Sequence, residues 1–137
     1  MTSFESVLES ISSWILGNGA INSVTKGDPN ELDVRKATKF PVGHIIPTSM
    51  ILHEGYTEYS FNVWLLGQDK WNSIYDMSLV AQQFMTSLTR GNLTSELGFQ
   101  VQDLPSSEMM YDYGQNRLYG WDITVTIQAP NDIENCG

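Results

Sequence analysis

Few side chains in this sequence are of a type that starts chemistry. Its only imidazoles and thiol are His44, His53 and Cys136. A hydrolytic triad needs a nucleophile beside a base that a third group orients. Neither histidine has a Ser or Cys beside it in a recognisable nucleophile motif. His44 stands in an apolar run, where a histidine is more often satisfied structurally than used as a base. His53 falls in a predicted turn and reads as a solvated turn residue. A structural zinc site takes four Cys or His ligands, more than one cysteine and two histidines supply. Asp28, Glu31 and Asp33 faintly resemble a calcium loop, but the glycine of its sharp turn and the bidentate glutamate at its twelfth position are missing. There is no Walker A sequence and no glycine fingerprint between a strand and a helix. Paired carboxylates for glycoside chemistry are defined by their separation in space, and the sequence singles out no such pair. The expectation is a chain with no catalytic residues, no cofactor and no metal.

Two features remain that folding alone does not demand. Trp64, Trp71, Tyr111 and Tyr113 fall on predicted exposed faces, the tyrosines beside Met109 and Met110. Aromatics and methionines are enriched at protein interfaces, although the same residues also cap cores under loops. The second feature is charge. Sixteen acids against seven bases give a formal net charge of −9. Four of the bases (Lys26, Arg35, Lys36, Lys39) precede residue 40, whereas the segment from Gly91 onward holds seven acids and only Arg117 as a base. A basic segment and an acidic end suit head-to-tail attraction between copies, set against the plainer reading of solvated surface charge. The expected contact residues are therefore Asp28, Glu31, Asp33, Arg35, Lys36 and Lys39 of one arm, Asp132 and Glu134 of the tail, and the four aromatics.

The elements that must position these residues follow from periodicity. Thr2 and Glu5 form a possible capping box, and Phe4, Val7, Leu8, Ile11, Trp14 and Ile15 make one helical stripe that Gly17-Asn18-Gly19 ends. Ile21 to Lys26 reads as a short strand and Asp28 to Thr38 as a long loop or arm. Phe40 to Leu52 reads as a strand made irregular by Pro41 and Pro47, turning at His53-Glu54-Gly55. From Tyr56 to Leu66, Tyr59, Phe61, Val63 and Leu65 alternate with Glu58, Ser60 and Asn62, and Trp64 breaks the polar side. Ile74, Met77, Ala81, Phe84 and Leu88 give a second helix over about Asn72 to Arg90, with Gly91 as its cap. Phe99 and Val101 make a short strand broken by Leu104-Pro105-Ser106-Ser107. Met109 to Tyr113 is a further strand, turning through Gly114-Gln115-Asn116. In the last strand Trp121, Ile123, Val125 and Ile127 point inward and Asp122, Thr124, Thr126 and Gln128 outward. This order predicts a single α+β domain over 1–137: a mainly antiparallel sheet, two helices on one face, an arm at 28–38 and a tail at 131–137.

A chain of 137 residues buries enough surface to fold without disulfides, and one cysteine fits a reducing cytoplasm. Met1 to Glu5 lacks the start of a signal peptide, and no apolar run approaches a membrane span. The acidic balance argues against binding along a nucleic-acid backbone, which depends on Lys and Arg.

Three stretches carry a family resemblance: Lys39-Phe40-Pro41-Val42-Gly43-His44-Ile45-Ile46; Leu88-Thr89-Arg90-Gly91-Asn92-Leu93; and Asn116-Arg117-Leu118-Tyr119-Gly120-Trp121 continuing to Ala129-Pro130-Asn131-Asp132-Ile133 and Cys136. On these the chain resembles the small tail-terminator and neck-ring (head–tail joining) proteins of tailed bacteriophages, including crAss-like phage versions. The resemblance implies a tail-terminator-like fold and a virion protein assembled in the host cytoplasm. It implies a homo-oligomeric ring, hexamer or dodecamer, between portal and tail or at the top of the tail tube. Neighbouring neck, tail or portal-associated proteins would be its partners; DNA would pass through without specific binding, and no membrane is involved. It carries over no catalytic residue, and it places Asp28–Lys39 and Asn131–Gly137 against neighbouring subunits. The alternative is a non-catalytic binding module whose exposed Trp and Tyr side chains bind a ligand or protein partner.

Overall fold

In the computed structural model, which describes residues 4–27, 40–89, 100–101, 104–113 and 117–130, the N-terminal apolar stripe winds as helix α1 (Phe4–Gly17). Val7, Leu8, Ile11 and Ile15 are buried, with Phe4 and Trp14 partly buried beside them. The helix ends where Asn18 donates its backbone N–H to the Ile15 carbonyl at 3.2 Å and Gly19 takes a φ of 87°, a left-handed exit that a side chain would resist. Thr2, the expected cap, lies outside the described residues.

The remaining elements are β1 (Ser23–Lys26), β2 (Val42–Leu52), β3 (Tyr56–Gly67), α2 (Lys70–Thr89), β4 (Gln100–Val101), β5 (Ser106–Tyr113) and β6 (Leu118–Pro130). The sheet runs β1-β2-β3-β6, with β5 and β4 sharing the far edge of β6: β5 pairs from Leu118 to Thr124, and β4 pairs with Ile127 and Gln128. Only β1–β2 is parallel, so the sheet is mixed but mostly antiparallel. With both helices on one face this is an α+β fold, as the alternation of apolar residues predicts.

Several boundaries differ from the periodicity. Helix α2 starts at Lys70, before the first apolar residue of its seam, and Arg90 and Gly91 lie outside the described residues. Strand β5 starts at Ser106 rather than Met109, because Ser106 already pairs with Thr124 and a proline just ahead of a strand costs no ladder bond. The irregularity expected of β2 is a register shift between Pro47 and Ser49. The Asp28–Thr38 arm, the Gly114–Asn116 turn and the tail after Pro130 fall outside the described residues.

The main core fills the helix side. Ile45 from β2, Tyr59, Phe61, Val63 and Leu65 from β3, and Ile123, Val125, Ile127 and Ala129 from β6 meet the α1 stripe and Met77, Val80, Ala81, Phe84 and Leu88 of α2. Trp14 tilts against Phe84 at 5.3 Å between centroids, joining the helices, and Phe4 stacks on Tyr59 at 4.6 Å. Trp121 donates its indole N–H to the Ile74 carbonyl at 2.9 Å, which ties α2 to β6 by a directional bond. No helix among the described residues is long and apolar enough to cross a membrane.

At Gly120 strand β6 runs close against the backbone of β3. A Cβ there would overlap the backbone carbonyl oxygen of Leu65 and press on Leu66 Cα at 3.1 Å. Backbone cannot swing aside as a side chain can, so Gly120→Ala is expected to cost more than about 4 kcal/mol. Phe84→Ala, a cavity at a fully buried ring, is expected to cost about 3–5 kcal/mol. Urea unfolding of both variants checks this; a Gly120→Ala protein as stable as the parent would show that β3 and β6 are spaced differently.

Candidate functional site

Pairing carries side chains of one row onto one face. Thr25, His44, Trp64, Asp122 and Glu108 are successive cross-strand partners, so they form a row across five strands on the face that carries no helix. His44 is fully buried, its Nδ1 hydrogen-bonded to Thr25 Oγ1 and its ring 5.9 Å from Trp64. The structural role expected of it is the one it has. His53, expected to be solvated, is half-exposed and stacks on Tyr56 at 4.5 Å, with Nε2 4.0 Å from Glu58.

Trp64 does not lie on the surface as its place in the polar alternation suggests. It is 8% exposed, in a second apolar cluster with Val42, Leu66 and Leu118, flanked by Phe40, Ile46, Met110 and Tyr113. The reason lies in β5. A bulge between Met110 and Tyr113, with Asp112 at a φ of 55°, inserts one extra residue and reverses the alternation. Tyr113 therefore joins Met110 on the helix-free face and closes edge-on over Trp64 at 4.9 Å. Tyr111, two residues earlier, stays on the helix side. The two tyrosines are not a pair, and Trp64 with Tyr113 is packing rather than a contact surface.

The other two expected aromatics do come together. Trp71 at the start of α2 lies 5.9 Å from Tyr111, and stacks at 6.1 Å with Tyr75, one helical turn on. Tyr111 rests edge-on against the buried Tyr119 at 5.2 Å, and Lys70 Nζ sits 5.5 Å from the centre of the Tyr111 ring. Trp71, Tyr75 and Tyr111 are 49%, 65% and 45% exposed, so this ladder of rings faces solvent beside the β5 edge. Tyr75 was legible in the sequence: it stands four residues from Trp71, away from the Ile74–Met77–Ala81 seam. Two clefts that open beside α2, of about 220 and 490 Å³, are lined by residues such as Pro41, Asp76 and Met77 and by none of the ladder's rings.

At the opposite edge, β1 pairs with β2 only as far as Ile45, and the six residues from Pro47 to Leu52 are all exposed. No described strand covers that edge. Met50, Ile51 and Leu52 are 67%, 48% and 64% exposed, a surface that periodicity conceals because they read as the end of an apolar run. Of the other expected contact residues, Asp28, Glu31, Asp33, Arg35, Lys36, Lys39, Asp132 and Glu134 lie outside the described residues.

Beyond the Trp64 cluster the helix-free face is polar. Glu58, Ser60 and Asn62 of β3 alternate with the core residues, opposite Gln128, Thr126 and Thr124 of β6. Ser60 and Thr126 hydroxyls are 3.1 Å apart, and Asn62 Nδ2 donates to Asp122 Oδ1 at 2.8 Å. Asp122 titrates above the ordinary aspartate range. Burial is the main cause, and the neighbouring charge of Glu108 adds to it; donation from Asn62 and the proximity of the Trp64 N–H oppose it. The Trp64 indole N–H is itself buried, with no acceptor inside hydrogen-bond limits among the described residues.

No family model matches this chain, and no curated protein sequence matches it.

The Asp122 shift has a sign. A carboxyl raised by folding contributes stability below its unfolded value, and that contribution is lost as pH rises through the folded value. At neutral pH the ionised form therefore opposes folding. Asp122→Asn keeps an acceptor for Asn62 and removes the charge. Its melting temperature is expected to exceed the parent's at pH 7, with the gap closing below the ordinary aspartate value of about 4. Thermal melts at both pH values check this, and an Asn variant less stable at pH 7 would contradict it.

Proposed function

We infer that this chain is a structural subunit of a homo-oligomeric ring in the neck or tail of a tailed phage, a tail terminator or head–tail joining ring through which DNA passes. The observation that carries the reading is the helix-free face. It bears Glu58, Glu108 and Asp122, whereas Lys26 pairs in the row of the core residue Ile45, Lys70 lies on α2 against Tyr111, and Arg117 sits beside Asp112 at 3.8 Å. A polar sheet face with acids and none of the described bases suits the wall of a channel for DNA. Its described residues offer no cations to displace the counterions of the phosphates, and like charge keeps the duplex from adhering. The helices then face outward.

Two further observations support a ring. Both sheet edges expose apolar side chains, Met50, Ile51 and Leu52 on one and Met109 and Tyr111 on the other. Such edges are templates for pairing with another chain. Heterologous contacts between unlike edges generate rings when the rotation closes. The stretches that carry the phage resemblance also include most of β6, the strand that contributes Asp122 to this face. The partners on this reading are further copies and the neighbouring neck, tail or portal-associated proteins, in the virion.

Light scattering of the purified protein at moderate salt, with negative-stain imaging of the largest species, is expected to give a closed hexamer or dodecamer with a central hole. A species that stays monomeric at high concentration, or stops at a closed dimer, would contradict the reading.

A further inference from the structure

We propose that the exposed outer half of β2 in one copy docks on the β5 edge and its aromatic ladder in the next copy. This assigns both sides of the contact and rests on the ring reading only for closure.

The surfaces match in length, chemistry and charge. Strand β2 exposes six residues, Pro47–Leu52, and β5 spans eight, Ser106–Tyr113, each with one edge that no described strand pairs. Backbone groups on an open edge are satisfied when another strand adds to them. Met50 and Leu52 are partners of Tyr59 and Thr57, which places them on the helix side of the sheet, and Tyr111, Trp71 and Tyr75 stand on that same side at the other edge. Joining the two edges in one continued sheet brings the aliphatic pair onto the rings. Aromatic side chains clustered on an apolar patch are the groups that dominate contact energies. Charge agrees in sign: the β1–β2 edge carries Lys26 and no acid from Pro47 to Leu52, and β5 carries Glu108 and Asp112. Like edges meet less well, since two β2 edges present no aromatic ring and two ladders oppose their own acids. The contact is therefore heterologous, and each copy keeps one free edge of each kind until the ring closes.

Heterologous contact makes a complementation test decisive. Met50→Glu with Leu52→Glu blocks one edge, and Trp71→Glu with Tyr111→Glu blocks the other; all four side chains are exposed, and thermal melts verify that both variants fold. Each variant alone is expected to be monomeric. Mixed in equal amounts they have one working contact between them, so a one-to-one dimer and nothing larger is expected by native mass spectrometry. A mixture that stays monomeric while the parent assembles, or either variant dimerising alone, would overturn the assignment. A second route avoids buried charge: in a Cys136→Ser background, Met50→Cys combined with Tyr111→Cys is expected to give a ladder of disulfide-linked oligomers on oxidation. The two failures are separable. Parent protein forming open chains with this cross-link keeps the edge pairing and removes the ring. Parent rings without the cross-link keep the ring and remove the pairing. A parent that is monomeric at every concentration removes both.

Discussion

Strand β3 pairs along its whole length with β6, from Tyr56 opposite Pro130 to Gly67 opposite Tyr119, while β2 pairs along its other edge. Side chains alternate with a period of two, so a slip of one residue would send Tyr59, Phe61, Val63 and Leu65 to the polar face and Glu58, Ser60 and Asn62 under the helices. Each of those polar groups would then lose water without a partner in the apolar core. Gly120 fixes the strand spacing as well, since only a residue without Cβ lets β6 pass the Leu65 carbonyl. The helices, the acidic face and the two exposed edges all follow from this pairing.

The two faces solve different problems. On the helix side, α1 and α2 seal a continuous core, with the Trp121–Ile74 hydrogen bond fixing where α2 lies. The opposite face is only partly apolar. Its small cluster around Trp64 and Leu66 occupies one end, and polar side chains satisfy one another across β3 and β6 at the other. An ionised Asp122 in that row is held at a cost to stability, by burial and by Glu108. In the proposed ring the same carboxylate would be a fixed negative charge on the channel wall.

How much of this was legible beforehand depended on whether local period decided the outcome. The stripe of α1, the seam of α2 and the alternation of β3 and β6 were readable because burial enforces one period over many residues. Tyr111 and Tyr113 were not separable, because a single inserted residue in β5 changes the parity and leaves little trace in composition. Trp64 reads as exposed because most of the residues that bury it, Val42, Leu118, Met110 and Tyr113 among them, come from other strands. Met50, Ile51 and Leu52 have the composition of a core strand, yet among the described residues no element covers them and their side chains are exposed. That is a fact of topology. The arm and tail residues singled out by charge lie outside the described residues, so the proposed assembly surfaces rest on the ladder and the open edges instead.

The central claim is that the helix-free face lines the inside of a ring and the helices its outside. Cysteine accessibility in the assembled protein measures this most directly. In a Cys136→Ser background, Thr124→Cys places a thiol on the exposed acidic face and Glu9→Cys places one on the exposed side of α1. A small maleimide is expected to label both variants at similar rates. A maleimide carrying a long polymer is expected to label the Glu9 variant freely and the Thr124 variant slowly. Equal labelling of both by the large reagent, or protection of the Glu9 variant alone, would contradict the account.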